Sequence, residues 1–444
     1  MATLLQEAVL PELPSQIIRR STPKSSPTPL PHRPRRASMT FTTPSSPNSQ
    51  PKPSLPPRAA TEHALSSSAA ATTNFMKSAI EAEAPLVAVT GGLSFLGSHV
   101  VARMLMKGYF VRTIVPQGAN ADFLLRLNGA SRRLQIIPVR DPAAEDARSA
   151  MLLAFRGVST VVHAASFSTH SGKITKQVAS KRIVDALKIA LDAASAPGNV
   201  VINFIYLSSE LSVYDPTQHS KHKTVQLTEN DWFDCSRPSR ESSHAFAFAH
   251  TVAEMRLWAR VGKGNLPFNV CSVIPSFVLG PVLSSRQVAS TPSVSFFKCV
   301  ADGSLKYVPD VPMSPVDVRD VARAITALTE RPDISGRILL SAESLTSTEL
   351  IFRAERDFPQ YKWPVLVRRH FLRRSHKGDA NARKELKEAD FAGKDRRGRR
   401  YEFSQTRARV ELGLRFRRVD ETIGDTILSL ERCGLLLQLP KMMK

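Results

Sequence analysis

The stretch Val87-Ala-Val-Thr90-Gly91-Gly92-Leu93-Ser94-Phe95-Leu96-Gly97-Ser98 restricts what this chain can fold into more than any other. The apolar run Leu86–Val89 predicts a buried parallel strand, and the glycines predict a tight turn. Ser98-His-Val-Val-Ala-Arg-Met-Leu-Met-Lys then opens an amphipathic helix that Gly108 ends. A second apolar run, Tyr109–Val115, follows at once. Strand, glycine turn, helix and strand in this order make a βαβ unit. Its turn offers free backbone N–H groups and the positive end of a helix dipole to an anion, the pyrophosphate of a dinucleotide above all.

From Leu86 onward short apolar runs alternate with helical segments. Strands are predicted at Leu86–Val89, Phe110–Val115, Leu134–Pro138, Thr160–His163, Val201–Leu207 and Phe268–Ile274. Helices are predicted around Ala121–Leu127, Ala150–Phe155, Thr175–Ala194 and Ala245–Val261. The expected fold is α/β, a doubly wound parallel (Rossmann) sheet. After Pro275 the pattern turns irregular and proline-rich, then closes with a capped helix near Val419-Asp420-Glu421-Thr422. That segment reads as a smaller C-terminal α+β lobe walling a substrate cleft. The expected division is residues 1–84 as a disordered leader, 85–274 as the dinucleotide-binding domain and 275–444 as the small lobe.

The leader is crowded with Ser, Thr, Pro and Ala and carries Arg19, Arg20, Arg33, Arg35, Arg36 and Arg58 among few acids. It lacks the long apolar core of a secretory signal, so it reads as a chloroplast transit peptide, with a mitochondrial one or a cytoplasmic tail as alternatives. No stretch is apolar and long enough to insert into a membrane. Cys235, Cys271, Cys299 and Cys433 lie far apart and suggest reduced thiols rather than a metal site. The formal charge of +22 is uneven, and much of it outside the leader falls within 368–400. That run reads as a solvated loop or as a surface for a polyanion such as RNA. It lacks the interleaved aromatics that stack bases.

Several phrases in sequence order are similar to one family: Thr90-Gly-Gly-Leu-Ser-Phe-Leu-Gly97, Gly108-Tyr-Phe-Val-Arg112, Leu207-Ser-Ser209, Val252-Ala-Glu254-Met-Arg-Leu-Trp258, Pro275-Ser-Phe-Val-Leu-Gly280-Pro281, Val316-Asp317-Val-Arg319-Asp320-Val-Ala322 and Glu411-Leu-Gly-Leu414. Together they resemble the extended short-chain dehydrogenases/reductases of the cinnamoyl-CoA and dihydroflavonol reductase type. The resemblance implies hydride transfer from NADPH or NADH to a carbonyl or an acyl-CoA thioester, on a phenolic or acyl-CoA small molecule. It also implies a cofactor site made of Thr90, Gly91, Gly92, Ser94, Phe95, Leu96, Gly97, Arg112, His163, Ala164, Ala165 and Pro275. Such enzymes deliver a proton from a Tyr assisted by a Lys four residues on, with a Ser polarising the carbonyl.

Ser209 matches that Ser. Counting back from Ala253-Glu254, Phe246 stands at the Tyr position and His250 at the Lys position. No Tyr occurs between Tyr214 and Tyr307, so no shift of register restores one. Ser94 stands at the middle glycine of the phosphate loop. Pro116 and Phe123 stand where cations for a 2′-phosphate are expected, so little preference for NADP over NAD is expected. Three functions stay open: an oxidoreductase with altered acid chemistry, a catalytically silent dinucleotide-binding sensor or scaffold, and a plastid polyanion-binding protein on a Rossmann platform.

Overall fold

The computed structural model describes residues 71–164, 176–214, 224–236, 242–305, 307–309, 311–367 and 400–436. Helix α1 spans 71–81. The expected βαβ unit follows as β1 (Leu86–Thr90), α2 (Phe95–Met106) and β2 (Phe110–Pro116). Next come β3 (Leu134–Val139), α3 (Ala147–Phe155), β4 (Thr160–His163), α4 (Lys176–Ala194), β5 (Asn203–Leu207), α5 (Ser242–Gly262) and β6 (Asn269–Pro275). Then α6 (Val318–Glu330), β7 (Gly336–Leu340) and α7 (Val419–Arg432) complete the main elements.

The seven strands form one parallel sheet in the order β7-β6-β5-β4-β1-β2-β3. Every residue of β1, β4 and β5 is buried. Continuous apolar runs are what a sheet covered on both faces demands, and they explain why these strands were legible as such. Alternation divides the side chains between two cores. Val87 and Val89 join α2 and α6 on one face, whereas Leu86 and Ala88 join α3, α4 and α5 on the other. The chain order reverses between β1 and β4. That is the switch point at whose carboxyl edge open α/β sheets bind ligands.

Two expected boundaries are corrected. The sheet does not stop near Ile274: β7, from the segment assigned to the small lobe, pairs with β6 from Gly336↔Cys271 to Leu340↔Pro275. Helix α6, also from that segment, packs on α2, and one core holds residues from Val87 to Leu436. The irregular sequence after Pro275 hid a strand that only its non-local pairing stabilises. The remainder of the segment does carry short strand pairs, among them Phe277–Leu279 with Pro315–Asp317 and Pro312–Met313 with Leu345–Thr346, and its Arg400–Phe403 pairs with Thr224–Leu227 from before the boundary.

The second correction concerns where packing begins. Within the stretch expected to be unpacked, Ala79 is buried and Phe75 meets Phe110 edge-on at 5.4 Å. The compact body therefore starts at Thr72 rather than Pro85. Residues 1–70, and the basic run 368–399, lie outside the described residues.

Candidate active site

Because all seven strands are parallel, the ends of β1, β4, β5 and β6 meet at one edge. Registers Thr90↔His163, His163↔Tyr206 and Leu207↔Val273 bring the phosphate loop, His163–Ala164, Ser208–Ser209 and Pro275 together there. Gly91 turns with φ +71°. A Cβ on Gly97 would come within 2.2 Å of the Gly91 carbonyl oxygen, so the turn can close on the helix only with glycine there.

Ser94 occupies the N-cap of α2, where its Oγ accepts the Gly97 N–H at 3.0 Å. The hydroxyl is thus folded onto its own helix. The N–H groups of Phe95 and Leu96, first and second in α2, have no acceptor among the described residues. These donors, at the positive end of the α2 dipole, fit a pyrophosphate. Thr90, itself buried, bonds His163 Nδ1 at 3.1 Å, and burial lowers the imidazole to about 4. His163 is therefore a neutral, orienting residue at the strand end. Ala164 is buried beside it, and Ala165 lies outside the described residues.

Arg112 is corrected. It was expected in the cofactor set, but its side chain is fully buried and its donors serve the protein. Nε bonds Gln135 Oε1 at 3.0 Å, Nη1 bonds the carbonyls of Ala154 and Arg156 at 3.2 and 2.5 Å, and Nη2 bonds the Thr72 carbonyl at 2.9 Å. The cation joins β2 to α1 and the end of α3. After β2 the exposed chain reads Pro116-Gln117-Gly118, and Phe123 packs against the core. Asp122 there is exposed and held by Asn120 at 2.8 Å.

On α5, Phe246, His250 and Glu254 stand four residues apart and share one face. Glu254 is fully buried and accepts from Ser208 Oγ at 2.6 Å and Ser212 Oγ at 2.8 Å. Arg337 of β7 closes a salt bridge to it at 2.8 Å while lying 3.6 Å over the Trp232 ring. Arg337 also donates to the carbonyls of Glu229 and Asp231, each at 2.7 Å. Burial would raise the Glu254 carboxyl, but Arg337 and the two serines hold it below the usual range, so it stays ionised. This network fixes α5 against the end of β5. The sequence marked Glu254 only as part of the Ala253-Glu254 pair, with no role assigned, and Arg337 gave no local signal.

One turn from Glu254, His250 is 3% exposed and neither ring nitrogen has a partner among the described residues. Desolvation outweighs the attraction of Glu254 and lowers it to about 4. The Phe246 ring lies 4.3 Å away, tilted 50°. At neutral pH His250 is therefore a neutral imidazole, which carries one donor and one acceptor but no charge. Ser209 caps the turn Glu210–Ser212, its Oγ accepting the Leu211 N–H at 3.3 Å, which leaves its own proton to donate.

Two further groups at this edge went unnoticed in the sequence. Glu210 follows Ser209, and desolvation pushes its carboxyl up to about 8 although the residue is only half-buried. Ser276, next to Pro275, has a buried hydroxyl without a partner among the described residues. Tyr206 is buried beneath the same edge, and burial makes its phenol a weaker acid still. Among the described residues no group of His, Cys, Asp and Glu is arranged to hold a metal. No helix among them is long and apolar enough to cross a membrane.

A profile of the NAD dependent epimerase/dehydratase family matches residues 87–339. Cinnamoyl-CoA reductase 1 of Oryza sativa subsp. japonica is 28% identical over 364 residues, covering 81% of this chain and 95% of that protein. Among solved structures, vestitone reductase from alfalfa superposes with a TM-score of 0.59 at 23% identity, over 79% of this chain and 99% of that one. A yeast methylglyoxal/isovaleraldehyde reductase complexed with NADPH gives 0.63 at 21%, over the same shares. At such identities the superpositions speak for the fold.

Proposed function

The chain belongs to the NAD dependent epimerase/dehydratase family, and from that premise we propose that it binds a nicotinamide dinucleotide at the N-terminus of α2 while turning over carbonyl substrates far more slowly than a tyrosine-bearing reductase. One observation carries this reading: Phe246 and a neutral, unpartnered His250 stand together on the face of α5 anchored to Ser208. When bound, the dinucleotide supplies or accepts a hydride. Phe95 and Leu96 donate their N–H groups to its pyrophosphate, and His250 bonds a ribose hydroxyl as neutral imidazole.

Ser209 donates a hydrogen bond to a carbonyl oxygen but has no base among the described residues to relay its proton. Phe246 offers no proton at all. Desolvation raises the Glu210 carboxyl, which offers a further acid at the strand ends among the described residues. The substrate class follows the relatives: hydroxycinnamoyl-CoA thioesters or dihydroflavonol-like ketones. With Pro116 and Phe123 at the positions where the resemblance implies cations, the chain discriminates little between NADH and NADPH. The leader's composition directs it to the chloroplast.

Fluorescence titration of the protein with NADH and NADPH, followed by turnover assays on both substrate classes, tests this. Saturable binding with trace turnover is expected. Failure to bind either nucleotide defeats the reading, as does reductase-level turnover.

A further inference from the structure

Helix α2 presents its N-terminus to the dinucleotide site. Its other end, about 18 Å away at 1.5 Å per residue, borders a separate cavity of about 280 Å³. Arg103 and Lys107 reach this cavity from the end of α2. Arg323 and Glu330 line it from α6, and Arg415 from the turn ahead of α7. Four cations thus face one carboxylate. Lys107 pairs with Glu330 at 3.2 Å, and Arg323 lies 3.4 Å from Asp320 while donating to the Arg415 carbonyl. No carboxylate among the described residues pairs with the Arg103 or Arg415 side chains. The guanidinium Nε atoms of both Arg103 and Arg323 are closed off from solvent and have no acceptor among the described residues.

Cations commonly gather at helix C-termini to offset the dipole. That accounts for Arg103 and Lys107, which end α2. It does not account for Arg323, near the middle of α6, or for Arg415, which belongs to no helix. Three guanidinium groups and a lysine that converge on a cavity supplying a single carboxylate leave positive charge there that an anion can offset. Guanidinium forks match the spread oxygens of a phosphate.

The cavity's size sits at the lower edge of the roughly 300–1,000 Å³ of small-molecule sites. No aromatic ring lines it to stack a base, which disfavours a nucleic acid. We infer that this cavity binds a small phosphomonoester, its phosphate held by Arg103, Arg323 and Arg415. The inference does not depend on the dinucleotide reading.

The test is calorimetric titration of the full chain at constant ionic strength with ribose 5-phosphate, with inorganic phosphate and with polyuridylate. Ribose 5-phosphate should bind saturably, and Arg415→Ala, an exposed position, should weaken it by about tenfold, one lost charged contact's worth. Arg103→Met, checked for folding by circular dichroism, should weaken it similarly, and inorganic phosphate should show the same variant dependence. An isotherm unchanged in both variants overturns the proposal. So does polyuridylate binding that these variants abolish while ribose 5-phosphate fails to bind, since the occupant is then a polyanion.

Discussion

In the proposed reading, Phe246 and His250 decide the chemistry of this chain, because each differs in kind from the Tyr and Lys that the family resemblance implies at those positions. A phenyl ring has no proton to give, and the buried imidazole carries no charge at neutral pH. General acid assistance is commonly worth about 10²–10⁴-fold. Phe246→Tyr with His250→Lys should therefore raise reductase turnover by roughly 10²-fold or more, measured as NADH oxidation with a hydroxycinnamoyl-CoA. A double variant that binds nucleotide yet stays inert would place the defect in the substrate pocket. Buried histidines also set the acid limit of stability. Burial lowers His99, His163 and His250 each to about 4 from 6.5. Below pH 6.5 the unfolded chain takes up protons that the folded one refuses, so this stability is whole above 6.5 and lost as pH falls toward 4. Each pKa unit is worth about 1.4 kcal/mol per group. Urea midpoints should drop between pH 7 and 5, and His250→Leu should flatten that drop; an equal drop in the variant would contradict the assignment. Glu210 works in the opposite sense, its contribution being present below 4.5 and lost as pH rises through about 8.

At the scale of elements, α1 and β2 depend on each other through Arg112. The strand periodicity places a cation in the centre of a buried strand, which is tolerable only because a glutamine and three carbonyls accept its donors, Thr72 of α1 among them. Phe75 lies 5.9 Å from the same guanidinium. A chain beginning at Pro85 loses that carbonyl, the ring and the burial of Ala79. Leaving such a donor unsatisfied costs about 1–3 kcal/mol. The truncation should melt several degrees below a chain beginning at Thr72, by differential scanning calorimetry; equal melting temperatures would show that α1 adds nothing. A similar dependence holds α5 in place, because Ser208 and Ser212 ride on a carboxylate that Arg337 keeps ionised.

On the scale of the whole molecule, the proposed pyrophosphate site has no clamp for a 2′-phosphate at Pro116 or Phe123, the positions where the family resemblance implies one. Dissociation constants for NADH and NADPH should lie within about tenfold of each other, a difference under 1.4 kcal/mol. Much tighter NADPH binding would mean that an exposed cation such as Arg126 reaches the 2′-phosphate. The sequence by itself determined the βαβ unit and the six strands from Leu86 to Pro275, and it alone carries the proposal that the Tyr–Lys pair is lost. Each of these is written locally, in apolar runs buried on both faces, in glycines that alone fit a turn, or in residue types whose chemistry does not depend on surroundings. The tertiary structure alone decided that Arg112 serves α1 rather than cofactor, that β7 completes the sheet, and that Glu254 meets Arg337. It also set the ionisation of His250 and Glu210. These rest on contacts between residues far apart in the chain and on the water excluded around them, and no local pattern of residues encodes either.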